Sequence, residues 1–195
     1  TGTLTNMSTS TSPVQGKIGQ ALKFNGGNNN IITNDITGSN IDGPLAFDDA
    51  ENFSLSLWYK GTDTEQNGAW GKSLLGRDSN DLWAQLTLRD GYVEYIHYDA
   101  AWQHNIKSTT LVANGNWHHI VYINYSNSTG DLYVDGIKEI NGLSSAFNDS
   151  SRYFKISHIM RGYNAAHTSG TIDDIRVYNR ALSATEIKKL YNAGR

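Results

Sequence analysis

The sequence ends in Gly170-Thr-Ile-Asp-Asp-Ile-Arg-Val-Tyr-Asn-Arg-Ala-Leu-Ser-Ala-Thr-Glu-Ile-Lys-Lys-Leu-Tyr-Asn-Ala-Gly-Arg195, the stretch that decides the fold. Its first part has the β-branched apolar residues typical of a strand, namely Ile172, Ile175 and Val177. Ser183 then precedes Glu186 by three residues, which is the spacing of a helix capping box. Gly194 is placed to end that helix in a left-handed conformation. This block therefore predicts a strand followed by one short, capped helix.

Composition narrows the class of protein. The 195 residues include 19 glycines, 2 prolines, 11% aromatic residues and no cysteine, with 18% charged residues and a net charge of -3. No basic stripe is available to neutralise phosphates, so nucleic acid is not an expected partner. No apolar run reaches the roughly 18 residues of a membrane-spanning helix, so membrane insertion is not expected either. Disulfides and thiolate metal sites are excluded because cysteine is absent.

Upstream of the closing block the sequence alternates between short apolar segments and turns rich in Gly, Asn, Asp and Ser. Regularly spaced strands of this kind predict an all-β sandwich or jelly roll whose only helix is at the end. A tight turn at Asp90-Gly91 is predicted to join two strands, and Asp135-Gly136 is interpreted as a hairpin turn rather than as a catalytic pair. We expect a single domain over residues 1–195, with an irregular lead-in over 1–16. The predicted strands are 21–24, 31–33, 53–60, 73–77, 82–89, 92–98, 117–124, 131–136, 153–159 and 171–178.

Four segments carry a family resemblance. They are Gly16-Lys-Ile-Gly-Gln-Ala-Leu-Lys-Phe-Asn-Gly26, Phe53-Ser-Leu-Ser-Leu-Trp-Tyr-Lys60, Trp117-His-His-Ile-Val-Tyr with Leu132-Tyr-Val-Asp-Gly136, and the block from Gly170 to Tyr191. In this order and spacing the chain resembles laminin-G-like, concanavalin A-like jelly-roll domains of the bacterial and archaeal extracellular type. The resemblance implies a two-sheet antiparallel sandwich, an extracellular or cell-surface location, and a non-catalytic module attached to something larger.

The resemblance also implies a structural Ca²⁺ ion near the start of the final strand. Asp173 lies where related domains place a calcium-binding carboxylate, and the Asn25–Asn30 loop is its natural partner. Ca²⁺ takes about six to eight oxygen ligands, and asparagines where the family loop carries aspartates predict weaker binding. The alternative is that Asp173 and Asp174 accept backbone N–H bonds or pair with Arg176. The predicted ligand set is Asp173, Gly26, Asn28 and Asn29.

A carbohydrate platform is predicted on the strands around the Asp90-Gly91 turn. If Leu86 and Leu88 face the core, alternation places Trp83, Gln85, Thr87 and Arg89 on the opposite face. We expect Val93, Tyr95 and His97 to join them, with Trp70 and Trp102 as walls and Arg161, Tyr163 and His167 at one end. Aromatic rings stack on sugar C–H surfaces, while amides and charged groups fix hydroxyls. The alternative is that the tryptophans cover a sheet face or cap the core. The predicted ligand residues are Trp83, Gln85, Arg89, Tyr95, His97, Trp70 and Trp102.

Other polar residues do not predict a catalytic or metal site. His118 and His119 are adjacent on a predicted strand, so their imidazoles point to opposite faces and are not expected to share an ion. A retaining glycosidase needs two carboxylates about 5–5.5 Å apart. Glu94 and Asp99 are five residues apart and fall on opposite faces, and the Glu-x-Asp-x-x-Glu run of related glucanases is absent.

These observations predict a non-catalytic, extracellular carbohydrate-binding or adhesion module that binds a polysaccharide or glycan and carries a structural calcium ion. The alternative is a structural or protein-interaction domain of a surface protein, without a sugar site. A glycoside hydrolase or polysaccharide lyase is the third reading, because the same jelly roll hosts such enzymes.

Overall fold

The computed structural model describes residues 2–27, 30–33, 51–64, 71–78, 83–98, 102–127, 129–144, 153–157 and 167–195. These residues form fourteen strands and one helix. In chain order the elements are β1 (Gly2–Thr5), β2 (Pro13–Gln15), β3 (Gln20–Asn25), β4 (Asn30–Thr33), β5 (Phe53–Lys60), β6 (Lys72–Asp78), β7 (Trp83–Arg89), β8 (Tyr92–Tyr98), β9 (Trp102–Leu111), β10 (Trp117–Tyr125), β11 (Thr129–Val134), β12 (Ile137–Ser144), β13 (Tyr153–Ile156), β14 (Ser169–Tyr178) and α1 (Ala184–Ala193).

Two sheets of seven described strands each pack face to face. The front sheet has the order β1-β4-β13-β6-β7-β8-β9, and the back sheet has the order β12-β11-β10-β5-β14-β3-β2. Neighbouring strands within both sheets pair antiparallel. The predicted two-sheet antiparallel sandwich with one C-terminal helix is confirmed.

The apolar core lies between the sheets. Leu57 from the back sheet and Leu86 and Leu88 from the front sheet belong to one buried cluster, each at most 1% exposed. Tyr122 of β10 stacks on Tyr95 of β8 across the sandwich, with ring centroids 3.6 Å apart. Both sheets thus contribute alternate side chains to a shared interior, as expected for a sandwich.

Helix α1 covers the outer face of the back sheet, which explains why seven consecutive residues of β5 are buried. Ile187 packs in a second apolar cluster with Val121, Ile123, Tyr133 and Leu182. The predicted capping box is confirmed: the Ser183 side chain accepts from the backbone of Glu186, and the Glu186 side chain accepts from the backbone of Ser183.

The conformation predicted for Gly194 is wrong. Its φ is -96° and its ψ is 6°, which is not left-handed. Glycine is instead needed for space, because a Cβ at this position would overlap the indole ring of Trp58. The close approach of the helix end to Trp58 therefore explains the residue.

The prediction of an irregular segment over residues 1–16 is also wrong, because β1 and β2 lie within this range. β1 pairs with β4, which is distant in sequence, and β2 forms a local hairpin with β3, so the polar first segment becomes strand through backbone pairing rather than through its own pattern. The two tight turns are confirmed: Asp90-Gly91 has φ values of 54° and 81°, and Asp135-Gly136 has 53° and 77°. Positive φ at both turn residues is the signature of a type I′ hairpin.

No helix in the described parts of the chain is long and apolar enough to cross a membrane.

Candidate ligand-binding site

A row of polar residues crosses the front sheet on the face turned away from the core. The register pairs Ser73 of β6 with Thr87 of β7, Thr87 with Glu94 of β8, and Glu94 with Lys107 of β9. Residues directly opposite each other in an antiparallel pair share a face. We call Ser73, Thr87, Glu94 and Lys107 the polar row. Its neighbours in β7, Leu86 and Leu88, point into the core.

Glu94 is the charged centre of the polar row. Its side chain is 3% exposed, and its carboxylate lies 3.7 Å from Arg89 Nη1 and 3.7 Å from Lys107 Nζ. Burial raises the pKa of Glu94, and the nearby Arg89 and Lys107 cations oppose that rise. Glu94 Oε2 and Ser73 Oγ are buried without a hydrogen-bond partner among the described residues. Unsatisfied buried polar atoms cost stability and are uncommon in folded proteins.

The accessible part of this face is its border along the Asp90-Gly91 turn. Lys107 bonds Asp90 Oδ2 at 3.1 Å and lies over the ring of Tyr92 at 5.1 Å. The side chains of Arg89 and Lys107 are 29% and 38% exposed, so both remain open to solvent. Gln85 and Thr87 are buried, so the centre of the face is not an open groove.

Gln85 and Arg89 lie on the same face of β7, as alternation predicts, but Tyr95 lies on the core side of β8. Tyr95 and Val93 are buried in the sandwich core, so the prediction that they share the platform with Gln85 is wrong. The reason is the register of the hairpin. Arg89 pairs with Tyr92 across the two-residue turn, so Tyr95 stands opposite Leu86 on the core side.

The residues that sequence reasoning missed are Tyr92, Glu94 and Lys107. A two-residue turn at Asp90-Gly91 pairs Arg89 with Tyr92 and Thr87 with Glu94. The positions of Tyr92 and Glu94 on this face could therefore have been predicted from the sequence. The position of Lys107 could not have been predicted in this way, because Lys107 joins the polar row through the pairing of β8 with β9. The polar sequence of β9 did not indicate a strand.

The remaining predicted platform residues fall into three groups. By backbone register Trp83 starts β7 opposite Tyr98, His97 pairs with Ala84, and Trp102 starts β9, also opposite Tyr98. Trp70, Arg161 and Tyr163 lie outside the described residues. His167 is not at an open end: it is 6% exposed, and its Nδ1 lies 2.6 Å from the backbone oxygen of Ser157.

Asp173 is held by backbone N–H donors. Its Oδ2 accepts from the Ile18 N–H at 2.8 Å and its Oδ1 accepts from the Asp174 N–H at 2.7 Å, while the side chain of Asp174 pairs with Arg176 at 2.9 Å. Donors of this kind satisfy a carboxylate but are not ligands for a cation. The alternative that we raised for the Asp173–Asp174 pair therefore matches the contacts. Asp173 fastens the turn between β2 and β3 to the last strand.

The structure does not bring Gly26 and Asp173 together. Gly26 lies beside Ser169, four residues before Asp173 along β14, which at ~3.3 Å per strand residue is about 13 Å. Two ligands of one Ca²⁺ ion lie within about 5 Å of each other. No group of three or more His, Cys, Asp or Glu side chains suited to a metal occurs in the described segments. Asn28 and Asn29 lie outside the described residues, and calcium binding there stays a prediction.

Gly26 instead lines a polar pocket of about 480 Å³ at the end of the strands. Asp63 and Lys72 form an ion pair there, with each side chain 7% exposed. A lysine ammonium already pairs with the carboxylate, so this pocket is better suited to a polar ligand than to a second cation.

His118 and His119 point to different partners, as predicted. His118 Nδ1 lies 2.8 Å from Asp135 Oδ2, whereas His119 Nε2 lies 2.9 Å from the hydroxyl of Ser56. Since the two imidazoles have separate environments, they do not form a common site.

A second open cavity, of about 570 Å³, lies at the tip of the β10–β11 hairpin on the back sheet. We call it the hairpin groove. It is lined by Asn52, Tyr125, Asn127, Thr129, Asp131 and Lys138, together with Ser126.

A two-sheet antiparallel sandwich of this kind defines a lectin-like jelly-roll domain. Residues 25–188 match the family model described as the Concanavalin A-like lectin/glucanases superfamily, and the chain belongs to that superfamily. A comparison with curated protein sequences gives no significant match.

Solved structures share the fold at low sequence identity. Domain 4 of AbnA, a GH43 extracellular arabinanase from Geobacillus stearothermophilus in complex with arabinotriose, has a TM-score of 0.73 at 20% identity, over 97% of this chain and 87% of that one. The binding domain of Paraclostridial Mosquitocidal Protein 1 has a TM-score of 0.72 at 19% identity, over 98% of this chain and 47% of that one.

A third similar structure is the CBM40 of the Ruminococcus gnavus IT-sialidase bound to α2,3 sialyllactose. It has a TM-score of 0.60 at 18% identity, over 72% of this chain and 83% of that one. These three structures are parts of larger proteins, and two of them hold oligosaccharides.

Proposed function

We propose that this protein is a non-catalytic, extracellular carbohydrate-binding or adhesion module of a larger protein. Its ligand surface is the border of the polar row, where Arg89, Tyr92 and Lys107 are accessible. The observation that carries the proposal is the buried Glu94 carboxylate between two solvent-accessible cations, with Oε2 lacking a hydrogen bond.

Glu94 acts in this proposal as a positioning residue. A buried carboxylate loses its hydration, and only well-placed charged or hydrogen-bonding partners compensate that loss. Both of its cations stand at 3.7 Å, so Glu94 holds them by charge at the edge of the face. The carboxylate fixes the spacing of the Arg89 guanidinium and the Lys107 ammonium, and these donors then fix hydroxyl or acidic groups of a glycan. The Tyr92 ring beside Lys107 supplies an aromatic surface for sugar C–H groups.

The oligosaccharides held by two of the similar structures support a glycan as the ligand class. The Glu-x-Asp-x-x-Glu run of related glucanases is absent from the sequence, which favours binding over catalysis. The extracellular origin of the arabinanase domain agrees with the location expected from the family resemblance.

Glycan binding is tested with a printed panel of plant, bacterial and animal oligosaccharides that includes arabinotriose and α2,3-sialyllactose. We expect Arg89→Ala to weaken any reproducible wild-type signal about tenfold, because it removes a charged donor. Lys188→Ala, an exposed change on α1, serves as the control. Trp83→Ala tests the predicted aromatic platform in the same panel. Binding of wild type and Arg89→Ala with equal strength would place the ligand elsewhere.

A protein ligand is the second candidate, and the burial of Gln85 and Thr87 favours it, because an open sugar groove is not present at the centre of the face. This candidate predicts no signal on the glycan panel. It also predicts that Arg89→Ala leaves all glycan measurements unchanged.

A further inference from the structure

The hairpin groove lies on the opposite sheet from the polar row and has its own buried charge. Asp131 is 3% exposed, and its Oδ2 accepts from the Tyr125 hydroxyl at 2.7 Å and from Lys138 Nζ at 2.7 Å. Burial and the bond to Asp131 raise the pKa of Tyr125, so the phenol keeps its proton and remains a donor. The two donors compensate the carboxylate and hold the Tyr125 ring and the Lys138 ammonium at fixed positions.

Two amide side chains, Asn52 before β5 and Asn127 in the β10–β11 turn, line the groove. Asn52 Oδ1 accepts from the Ser126 N–H at 3.1 Å, and Asn127 Oδ1 accepts from the Thr129 hydroxyl at 2.7 Å. Because both amide oxygens are engaged as acceptors, each side chain turns its NH₂ group to other partners. Asn52 and Asn127 are exposed, so these donors are open to a ligand.

We propose that the hairpin groove is a second, independent binding site for a neutral, hydroxyl-rich ligand such as a sugar unit. The amide and ammonium donors of the groove match the accepting oxygens of adjacent ligand hydroxyls, while the buried Asp131 carboxylate holds Tyr125 and Lys138 in place. The half-buried Tyr125 supplies an aromatic surface for the C–H side of the same ring.

The charges of the groove select a neutral ligand. Asp131 and Lys138 are its charged lining residues in the described chain, and they pair with each other. An anionic ligand would have to approach the buried carboxylate, and a cationic ligand would meet the Lys138 ammonium, whose side chain is 38% exposed. A neutral polyol avoids both costs.

Amide chemical shifts measure this site directly in the intact protein. The probes are neutral oligosaccharides, with arabinotriose and the common hexose and pentose disaccharides each raised to about 10 mM, which detects millimolar dissociation constants. We expect shifts at Ser126, Asn127 and Lys138 with at least one probe. Tyr125→Ala and Lys138→Ala should each weaken this binding about tenfold or more.

Two controls separate this site from the proposed function. Arg89→Ala on the front sheet should leave the groove shifts unchanged, whereas Lys188→Ala on α1 controls for a charge change near the same face. Because Tyr125→Ala can affect folding, its melting curve is recorded, and Lys138→Ala serves as the exposed second variant. Shifts confined to the front sheet, or no shift with any neutral probe in the folded protein, would overturn the proposal. The same holds for groove shifts that persist unchanged in both groove variants.

Discussion

Acidification should destabilise this protein through one buried imidazole, that of His119. The ring is 1% exposed and lies between strand β10 and helix α1, 5.0 Å from the Trp58 ring and 6.3 Å from the Tyr191 ring. Its Nε2 bonds the Ser56 hydroxyl at 2.9 Å, and its Nδ1 has no partner among the described residues. A proton added to this ring would create a charge under the helix.

Burial lowers the pKa of His119 from 6.5 to about 4, and the carboxylates of Asp135 and Asp174 only partly oppose this shift. Between these two values the unfolded chain binds a proton that the folded protein does not bind. The free energy of unfolding therefore falls as the pH falls from 6.5 toward 4, and this contribution is fully present above pH 6.5. At ~1.4 kcal/mol for each pH unit, the loss comes to roughly 3 kcal/mol.

The assay is urea denaturation at about pH 7 and about pH 4, for the wild type and for His119→Gln. Glutamine keeps a hydrogen-bonding group for Ser56 but does not titrate. Carboxylates such as Glu94, whose pKa is raised by burial and whose effect has the opposite sign, titrate in both proteins and cancel in the difference. We expect wild type to lose about 3 kcal/mol more than His119→Gln over this range. Equal losses in the two proteins would refute the reasoning.

Three further measurements test the scaffold. Gly194→Ala should lower the free energy of unfolding by about 1–3 kcal/mol, because its Cβ overlaps Trp58, whereas Asn192→Ala on the exposed side of α1 should change it little; equal effects in urea melts would contradict the packing argument. Asp173→Ala leaves the Ile18 N–H without its acceptor and should cost about 1–3 kcal/mol, and an unchanged midpoint would rule out this fastening role. The calcium prediction requires EDTA to lower the melting temperature of protein prepared with calcium, and superimposable melting curves would reject it.

Much of the fold followed from local sequence. The type I′ turns at Asp90-Gly91 and Asp135-Gly136 were readable because both positions require positive φ, and Ser183 with Glu186 marked the helix start. By contrast, β1, β2, β9 and β12 were not predicted as strands. Polar edge strands take their conformation from backbone pairing with a neighbour, so their own residues carry a weak pattern.

Only part of the candidate site could be predicted from the sequence, for a related reason. Alternation correctly placed Gln85 and Arg89 on the face away from the core. The prediction that Tyr95 shares that face across the Asp90-Gly91 turn is wrong, because the register of the hairpin places it in the core against Tyr122. A shift of one residue in register turns every side chain of a strand to the other face, and chemistry alone cannot correct it.

By itself the sequence determined the closing strand and helix, the hairpin turns and the superfamily, because these depend on short-range backbone preferences and spacing. The tertiary structure decided what the closing block does. Asp173 fastens a distant turn through the Ile18 N–H, and Gly194 makes room for Trp58. It also decided that Glu94 stands between Arg89 and Lys107, and that Asp131 lies beneath an open groove. Burial and cross-strand proximity arise only when the two sheets are assembled, so no local pattern contains them.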